Sequence, residues 1–110
     1  MIHVVIYQDK RNVCTGFQLK GHAGFAEEGQ DIVCAAVSVL VINTMNALEL
    51  YTQDDFSVVS DEEEGIISCH FTKTLSKEAE LLVKTMILGL EQMADDENYE
   101  EYIDLTFEEV

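Results

Sequence analysis

Basic residues are scarce in this sequence, and proline is absent. Among 110 residues there are 6 Lys and Arg against 22 Asp and Glu, which gives a formal net charge of -16. A nucleic-acid-binding surface needs clustered cations that neutralise phosphates and release their counterions, whereas the cations here are scattered among acids. We therefore expect no direct binding to nucleic acid. The acidic surface is expected to attract a basic peptide or protein instead.

Long hydrophobic runs are also missing. The longest run, residues 32–42, is interrupted by Ser38 and is too short to cross a bilayer. Charged residues stand at positions 9–11, where a signal peptide would be apolar. The three cysteines are an odd number and cannot all pair within the chain. We therefore expect no membrane segment, a cytoplasmic location and reduced thiols.

The chain has no Ser/Gly-rich linker and no internal repeat, so residues 1–110 are predicted to form a single domain. Hydrophobic residues make up 47% of it, which is enough for one core. Apolar periodicity and turn residues predict the element order β-β-α-β-β-α with a possible C-terminal strand. The predicted strands cover residues 2–7, 13–19, 56–59, 66–71 and 102–107, and the predicted helices run from Asp31 to about Leu50 and onward from a Ser76 cap.

This order predicts an α+β fold, an antiparallel β-sheet with two helices packed on one face. The first helix is apolar on nearly every side over its first three turns and is expected to be largely buried. The uncovered face of the sheet is a candidate dimer surface.

Candidate chemistry concentrates in residues 21–38. If Asp31 is the N-cap, Cys34 lies in the first helical turn, where free N–H groups and the helix dipole stabilise a thiolate and lower the pKa of the thiol. His22 stands 12 residues earlier, on a loop that can fold back and pair its imidazole with the sulfur. Backbone N–H groups at the helix start are candidates for an oxyanion hole. Alternatively, Cys34 is a small buried hydrophobe and His22 an ordinary loop residue.

The neighbouring polar residues each allow two interpretations. Asp31 either caps the helix or orients His22 through a carboxylate–imidazole bond. Ser38, one turn after Cys34, either bonds the sulfur or a water, or bonds back to the helix carbonyl of residue 34.

The glycines of this segment suit a mobile loop, and neither their spacing nor that of the metal-ligating residue types indicates a further site. The loop glycines are Gly21, Gly24 and Gly29. Their spacing matches no phosphate-binding pattern. Cys and His residues show no zinc-ligand spacing, so neither a metal nor a cofactor is expected.

Gly-His-Ala at residues 21–23, followed by Gly-Gln-Asp-Ile-Val-Cys-Ala-Ala-Val-Ser at 29–38, closely resembles the ribosomal-processing cysteine protease family Prp. The resemblance extends over nearly the whole chain in length and element order. It implies that Cys34 is the nucleophile and His22 the general base, and that substrate orders the glycine-rich loop. It also implies a homodimer that removes the N-terminal extension of a basic large-subunit ribosomal protein of the L-twenty-seven type.

Two other classes of function stay open on the sequence. One is a non-catalytic acidic assembly module that shields a basic ribosomal protein. The other is a thiol-redox protein in which Cys14 or Cys69 resolves an oxidised Cys34.

Overall fold

In the described part of the chain, five strands and two helices follow one another in the predicted order. The computed structural model describes the backbone of residues 1–21 and 28–110 and the side chains of residues 1–21 and 32–110. The elements are β1 (Ile2–Gln8), β2 (Cys14–Lys20), α1 (Glu28–Tyr51), β3 (Phe56–Asp61), β4 (Ile66–Phe71), α2 (Lys77–Asp95) and β5 (Ile103–Glu109).

The strands form one mixed sheet in the order β3-β4-β2-β1-β5. Neighbours from β3 to β1 are antiparallel, whereas β5 is parallel to β1. The α+β class and the C-terminal strand are confirmed, but the sheet is mixed rather than wholly antiparallel. The parallel pair arises because α2 carries the chain from β4 across the sheet to the far side of β1, and β5 then runs in the same direction as β4.

Alternation along the strands separates a core face from an outer face. On β1, Ile2, Val4 and Ile6 are buried with the core side chains of the neighbouring strands, and both helices cover this face. The opposite face carries polar groups, among them a His3–Asp104 pair at 2.7 Å. The sheet therefore has one face in the core and one open to solvent, as predicted.

The second helix, α2, begins where the sequence predicts. The Ser76 side-chain oxygen accepts a hydrogen bond from the Ala79 N–H at 3.1 Å, which satisfies one of the free donors of the first turn. The buried residues of the helix recur at helical spacing, and they are Ala79, Val83, Met86 and Leu90.

The first helix, α1, is less buried than predicted. Val33, Val37 and Val41 are fully buried along one stripe, but Val39 is 66% exposed and Ile32 is 54% exposed. One sheet and one neighbouring helix cover only one side of α1, so its other side stays open.

The segment Ile32–Tyr51 of α1 is long and apolar enough to span a membrane by length and composition. The core helix of a globular protein can have the same length and composition. The buried valine stripe of α1 is typical of such a core helix.

Candidate active site

A cleft of about 340 Å³ opens between the N-terminal half of α1 and the β3–β4 turn, at the end of β2. Cys34 and Ser38 line it from the helix. The remaining wall combines apolar strand residues, two glycines, one serine and two acidic residues at the β3–β4 connection, namely Ile2, Leu19, Gly21, Ser60, Asp61, Glu62, Gly65, Ile66 and Ile67. The cleft thus offers a thiol, an apolar wall and an acidic rim in one place.

The three cysteines are free thiols in different surroundings. Cys34 is half-buried and lines the cleft. Cys14 and Cys69 are 7% and 0% exposed in the core. Burial raises the pKa of the Cys14 thiol to about 11 and that of the Cys69 thiol to about 12. Because the thiolate is the nucleophile, Cys34 is the one of the three that is placed to react.

The start of α1 corrects the predicted role of Asp31 as an N-cap. The helix begins at Glu28, three residues earlier, so Asp31 is its fourth residue and lies inside the first turn. An acidic residue is favourable both at the N-cap and within the first helical turn, so Asp31 does not by itself fix the helix start. The predicted boundary was therefore three residues too late. Gly29 belongs to the helix as well, not to the predicted loop.

The same boundary moves Cys34 from the first turn to the second. As the seventh residue of α1, its backbone N–H bonds the carbonyl four residues before it. That N–H is therefore occupied by the helix and does not serve as an oxyanion-hole donor. The dipole effect falls off beyond the first turn, so activation of Cys34 depends more on a neighbouring side chain than the sequence predicted.

Ser38 follows Cys34 by one helical turn, and the structure places both on the cleft. The two are brought together as the spacing predicts. The hydrogen bond from Ser38 to the Cys34 sulfur or to a water remains a prediction.

His22 and Gly24 lie outside the described residues, and only the backbone of Asp31 and Gly29 is described. The residue before His22 is Gly21, which the structure describes. Gly21 lines the cleft, and its N–H donates to the Gly65 carbonyl at 3.0 Å. Gly21 therefore lies on the wall of the cleft that contains Cys34.

Residues 61–65, which are four acidic residues and a glycine between the predicted strands 56–59 and 66–71, carry no sequence signal that connects them to the site. They reach the cleft because β4 pairs with β2 and so brings its preceding turn beside Gly21. No local pattern encodes that pairing of non-consecutive strands. Among the side chains that the structure describes, no group of three potential metal ligands is found.

Comparison with known protein families matches residues 1–104 to the family described as cysteine protease Prp. The chain is 33% identical over 100 residues to the ribosomal processing cysteine protease Prp of Bacillus subtilis, covering 87% of this chain and 89% of the relative. It is 31% identical over 107 residues to the protein of the same name from Staphylococcus aureus, covering 97% and 99% of the two chains.

Solved structures agree over the whole fold. Prp from Staphylococcus aureus, solved in complex with a substrate peptide, superposes with a TM-score of 0.90 at 29% identity and covers 98% of this chain and 100% of its own. The same protease with a covalently linked product peptide gives 0.85 at 30% identity, with the same coverage. A Streptococcus mutans protein gives 0.87 at 32% identity, covering 100% and 99% of the two chains. By sequence over residues 1–104, and by fold, the chain belongs to the Prp family of cysteine proteases.

Proposed function

We propose that this protein is a ribosome-maturation endopeptidase that removes the N-terminal extension of a basic large-subunit ribosomal protein, of the L-twenty-seven type. Cys34 is the nucleophile and His22 is the general base. The observation that carries the proposal is that Cys34 and Gly21, the residue before His22, line one cleft. The names of the relatives as ribosomal processing proteases supply the substrate class.

The chemistry is acyl transfer to sulfur. The His22 imidazole accepts the thiol proton, and the Cys34 sulfur attacks the carbonyl carbon of the scissile peptide bond. When the tetrahedral intermediate collapses, the C–N bond breaks and the imidazolium gives its proton to the leaving amine. Water then hydrolyses the thioester and regenerates the thiol. The covalently linked product peptide in the Staphylococcus aureus protease supports a covalent route.

Asp31 and Ser38 are assigned supporting roles in this proposal. Asp31 is the fourth residue of α1, so its candidate role narrows to orienting His22, since the cap role does not fit the helix start. Ser38 bonds the sulfur or a water in the cleft. Gly24 leaves the chain after His22 free to adapt when the peptide binds, whereas Gly21 is held at the cleft wall by its hydrogen bond to Gly65 and Gly29 belongs to α1.

Charge supports a basic partner. A protein of net charge -16 with Asp61 and Glu62 on the rim of its cleft attracts a cationic peptide and repels ribosomal RNA. We place the enzyme in the cytoplasm, where ribosomal proteins are made, and infer that it needs no metal or cofactor.

The homodimer is assigned to α1 rather than to the outer face of the sheet. From residue 32 to residue 48, α1 contains no charged residue, and Ile32, Val39 and Ile42 are exposed along it. Two copies of a strongly acidic protein repel each other least where a surface has no charge. The outer sheet face, in contrast, carries His3, Asp104 and other titratable groups. We call the exposed apolar residues of α1, namely Ile32, Val39 and Ile42, the α1 stripe.

The test is cleavage of a synthetic peptide that spans the extension and the first mature residues, followed by mass spectrometry. We expect a single cleavage site for the wild type and a fall in kcat/KM of at least about 1000-fold for Cys34→Ala and for His22→Ala. Binding without cleavage by the wild type would support the assembly-module alternative.

The matched control is the double variant Cys14→Ala with Cys69→Ala. It removes the two buried thiols and leaves the cleft intact, so the protease proposal expects cleavage within about twofold of the wild type. Loss of activity in this folded variant would favour the thiol-redox alternative. Cleavage that survives Cys34→Ala would show that the nucleophile is another residue.

A further inference from the structure

The turn between β3 and β4 has a defined shape. One oxygen of the Asp61 carboxylate accepts hydrogen bonds from the N–H groups of Glu63 and Glu64, at 3.0 and 3.2 Å. Gly65 follows with φ +65°, in the left-handed region that residues with a side chain rarely adopt. The turn thus presents Gly65 to its neighbours in one conformation.

Gly65 contacts the backbone of Gly21. The β2–β4 ladder ends with the pair Lys20 and Ile66, and the hydrogen bond from the Gly21 N–H to the Gly65 carbonyl extends it by one residue. A Cβ added to Gly65 would lie 2.0 Å from the carbonyl oxygen of Gly21 and 3.0 Å from its carbonyl carbon. Backbone atoms cannot rotate out of such a clash as a flexible side chain does, so a side chain at position 65 must displace Gly21.

Ile2 confines Gly21 from a second direction. A Cβ added to Gly21 would lie 2.7 Å from the Ile2 Cδ1 atom. Ile2 is itself buried in the core, and its N–H donates to the Tyr102 carbonyl at 2.7 Å. Gly21 is therefore in close contact with both the β3–β4 turn and the core at the wall of the cleft.

The carbonyl of Gly21 that Gly65 contacts belongs to the peptide group that joins Gly21 to His22. We propose that Gly65 is a positioning residue, which holds Gly21 in place and so sets the position, relative to Cys34, from which the chain continues to His22. The inference rests on the proposed function, in which His22 is the base. It adds to that function a residue 43 positions away in the sequence, in a different hairpin, that acts only through the backbone.

The test compares Gly65→Ala and Gly65→Asn with the wild type in the peptide-cleavage assay, using the full chain. Both added Cβ atoms push on the Gly21 carbonyl, although asparagine tolerates positive φ better than alanine does. We expect kcat to fall about 10- to 100-fold in both variants, with KM changed less than about threefold, because a displaced base is misaligned without loss of the peptide-binding surface.

Asn12→Ala is the matched control. Besides Gly65, Asn12 is the described residue with a positive φ, at 62°. It lies in the β1–β2 turn, at the opposite end of β2. Its replacement introduces unfavourable backbone geometry of the same kind, far from the cleft. We expect its kcat to stay within about twofold of the wild type. An equal loss of kcat in Asn12→Ala would show that general destabilisation, not positioning, explains the Gly65 result.

A second readout follows the thiol directly. The rate at which iodoacetamide alkylates Cys34 is measured against pH, and the profile of Gly65→Ala is expected to shift toward that of His22→Ala. A profile identical to that of the wild type, or a kcat within twofold of it, would overturn the proposal. Recovery of full activity in Gly65→Asn alone would also overturn it, because backbone strain and not the contact would then be the cause.

Amide hydrogen exchange of the wild type keeps the proposal testable if the Gly65 variants do not fold. The Gly21 amide is expected to exchange slowly, since it donates to Gly65. Exchange at the rate of an unprotected amide would overturn the contact itself. A wild type that fails to cleave the peptide at all would instead refute the proposed function, and this is seen before any variant is compared.

Discussion

At the scale of single residues, burial decides which thiol is available for chemistry. Cys14 and Cys69 face the core side of the sheet and act there as small hydrophobic residues. The raised pKa of each thiol follows first from burial, which disfavours the charged thiolate. Cys34 lines the cleft instead, which makes it a candidate nucleophile.

We predict that a thiol titration of the native protein with a disulfide reagent at pH 8 gives one fast equivalent. That equivalent is Cys34, and the Cys34→Ser variant is expected to lack it. Cys14 and Cys69 should react only as fast as the protein unfolds, because they are enclosed in the core and stay protonated at this pH.

The Cys14→Ser variant is the control for this titration and should keep the single fast equivalent. Two or three fast equivalents in the folded wild type would contradict the core placement of Cys14 and Cys69. That result would also reopen the thiol-redox alternative.

At the scale of elements, Ser76 at the start of α2 bonds Asp54, which lies in the connection between α1 and β3. Besides accepting from Ala79, the Ser76 hydroxyl donates to the Asp54 carboxylate at 2.5 Å, and the Ser76 N–H donates to its other oxygen at 2.8 Å. Burial raises the pKa of Asp54, but the two hydrogen bonds from Ser76, together with those from Thr52 and from the Asp54 backbone, outweigh it, so the pKa lies below its ordinary value of 3.8.

We predict that Ser76→Ala lowers the free energy of unfolding by about 1 to 2 kcal/mol at pH 7, since it removes a helix cap. A carboxyl whose pKa is lowered in the folded state adds stability above its unfolded pKa and loses it as the pH falls through the folded value. The difference in free energy of unfolding between the wild type and Ser76→Ala should therefore shrink below about pH 4. Urea unfolding at pH 7 and at pH 3 measures it.

Ser57→Ala is a suitable control, because Ser57 is an exposed serine of β3. Its effect should stay within about 0.5 kcal/mol at both pH values. A Ser76→Ala effect equal to this control, or one that grows at pH 3, would contradict the role of Ser76 and Asp54.

At the scale of the whole molecule, charge and exposed apolar surface are separated. Acidic residues exceed basic ones by 16 across the chain, while α1 contains none of either sign between residues 32 and 48. An exposed apolar helix face on an otherwise charged protein is typical of an interaction surface. We therefore propose the α1 stripe as the interface of the proposed homodimer.

If the wild type is a dimer as proposed, with about twice the 12.4 kDa mass of the chain, we predict that Val39→Glu converts it into a monomer. Val39 is 66% exposed within the α1 stripe, and a charge there would be buried unpaired and face its own copy across a twofold interface. Light scattering coupled to size-exclusion chromatography measures the mass.

Val59→Glu makes the same change on the outer edge strand β3, at a residue that is 62% exposed. It should leave the dimer intact. The opposite pattern, with a monomer only for Val59→Glu, would assign the interface to the sheet, as the sequence alone suggested. A monomeric wild type would contradict the homodimer itself.

The boundaries of α1 show where sequence-based prediction failed. Asp31 has the residue type of a cap, and the apolar pattern begins directly after it. The helix nevertheless begins at Glu28, because an acidic residue also suits the first turn and local preferences differ by little free energy. Ser76, in contrast, was predicted correctly, since its cap is reinforced by a tertiary bond to Asp54.

The sequence by itself determined the α+β class, the element order and the candidate pair of His22 and Cys34. Strand and helix periodicities are local, and the motif around Cys34 lies within one short segment. These features need no knowledge of which elements meet.

Tertiary structure alone decided that β5 runs parallel to β1 and that Gly65 reaches Gly21. It also decided that one side of α1 stays exposed. Each outcome depends on which strands pair and on how much of a helix one sheet and one neighbour cover. Those choices are set by burial summed over the whole core, and a local pattern does not contain that sum.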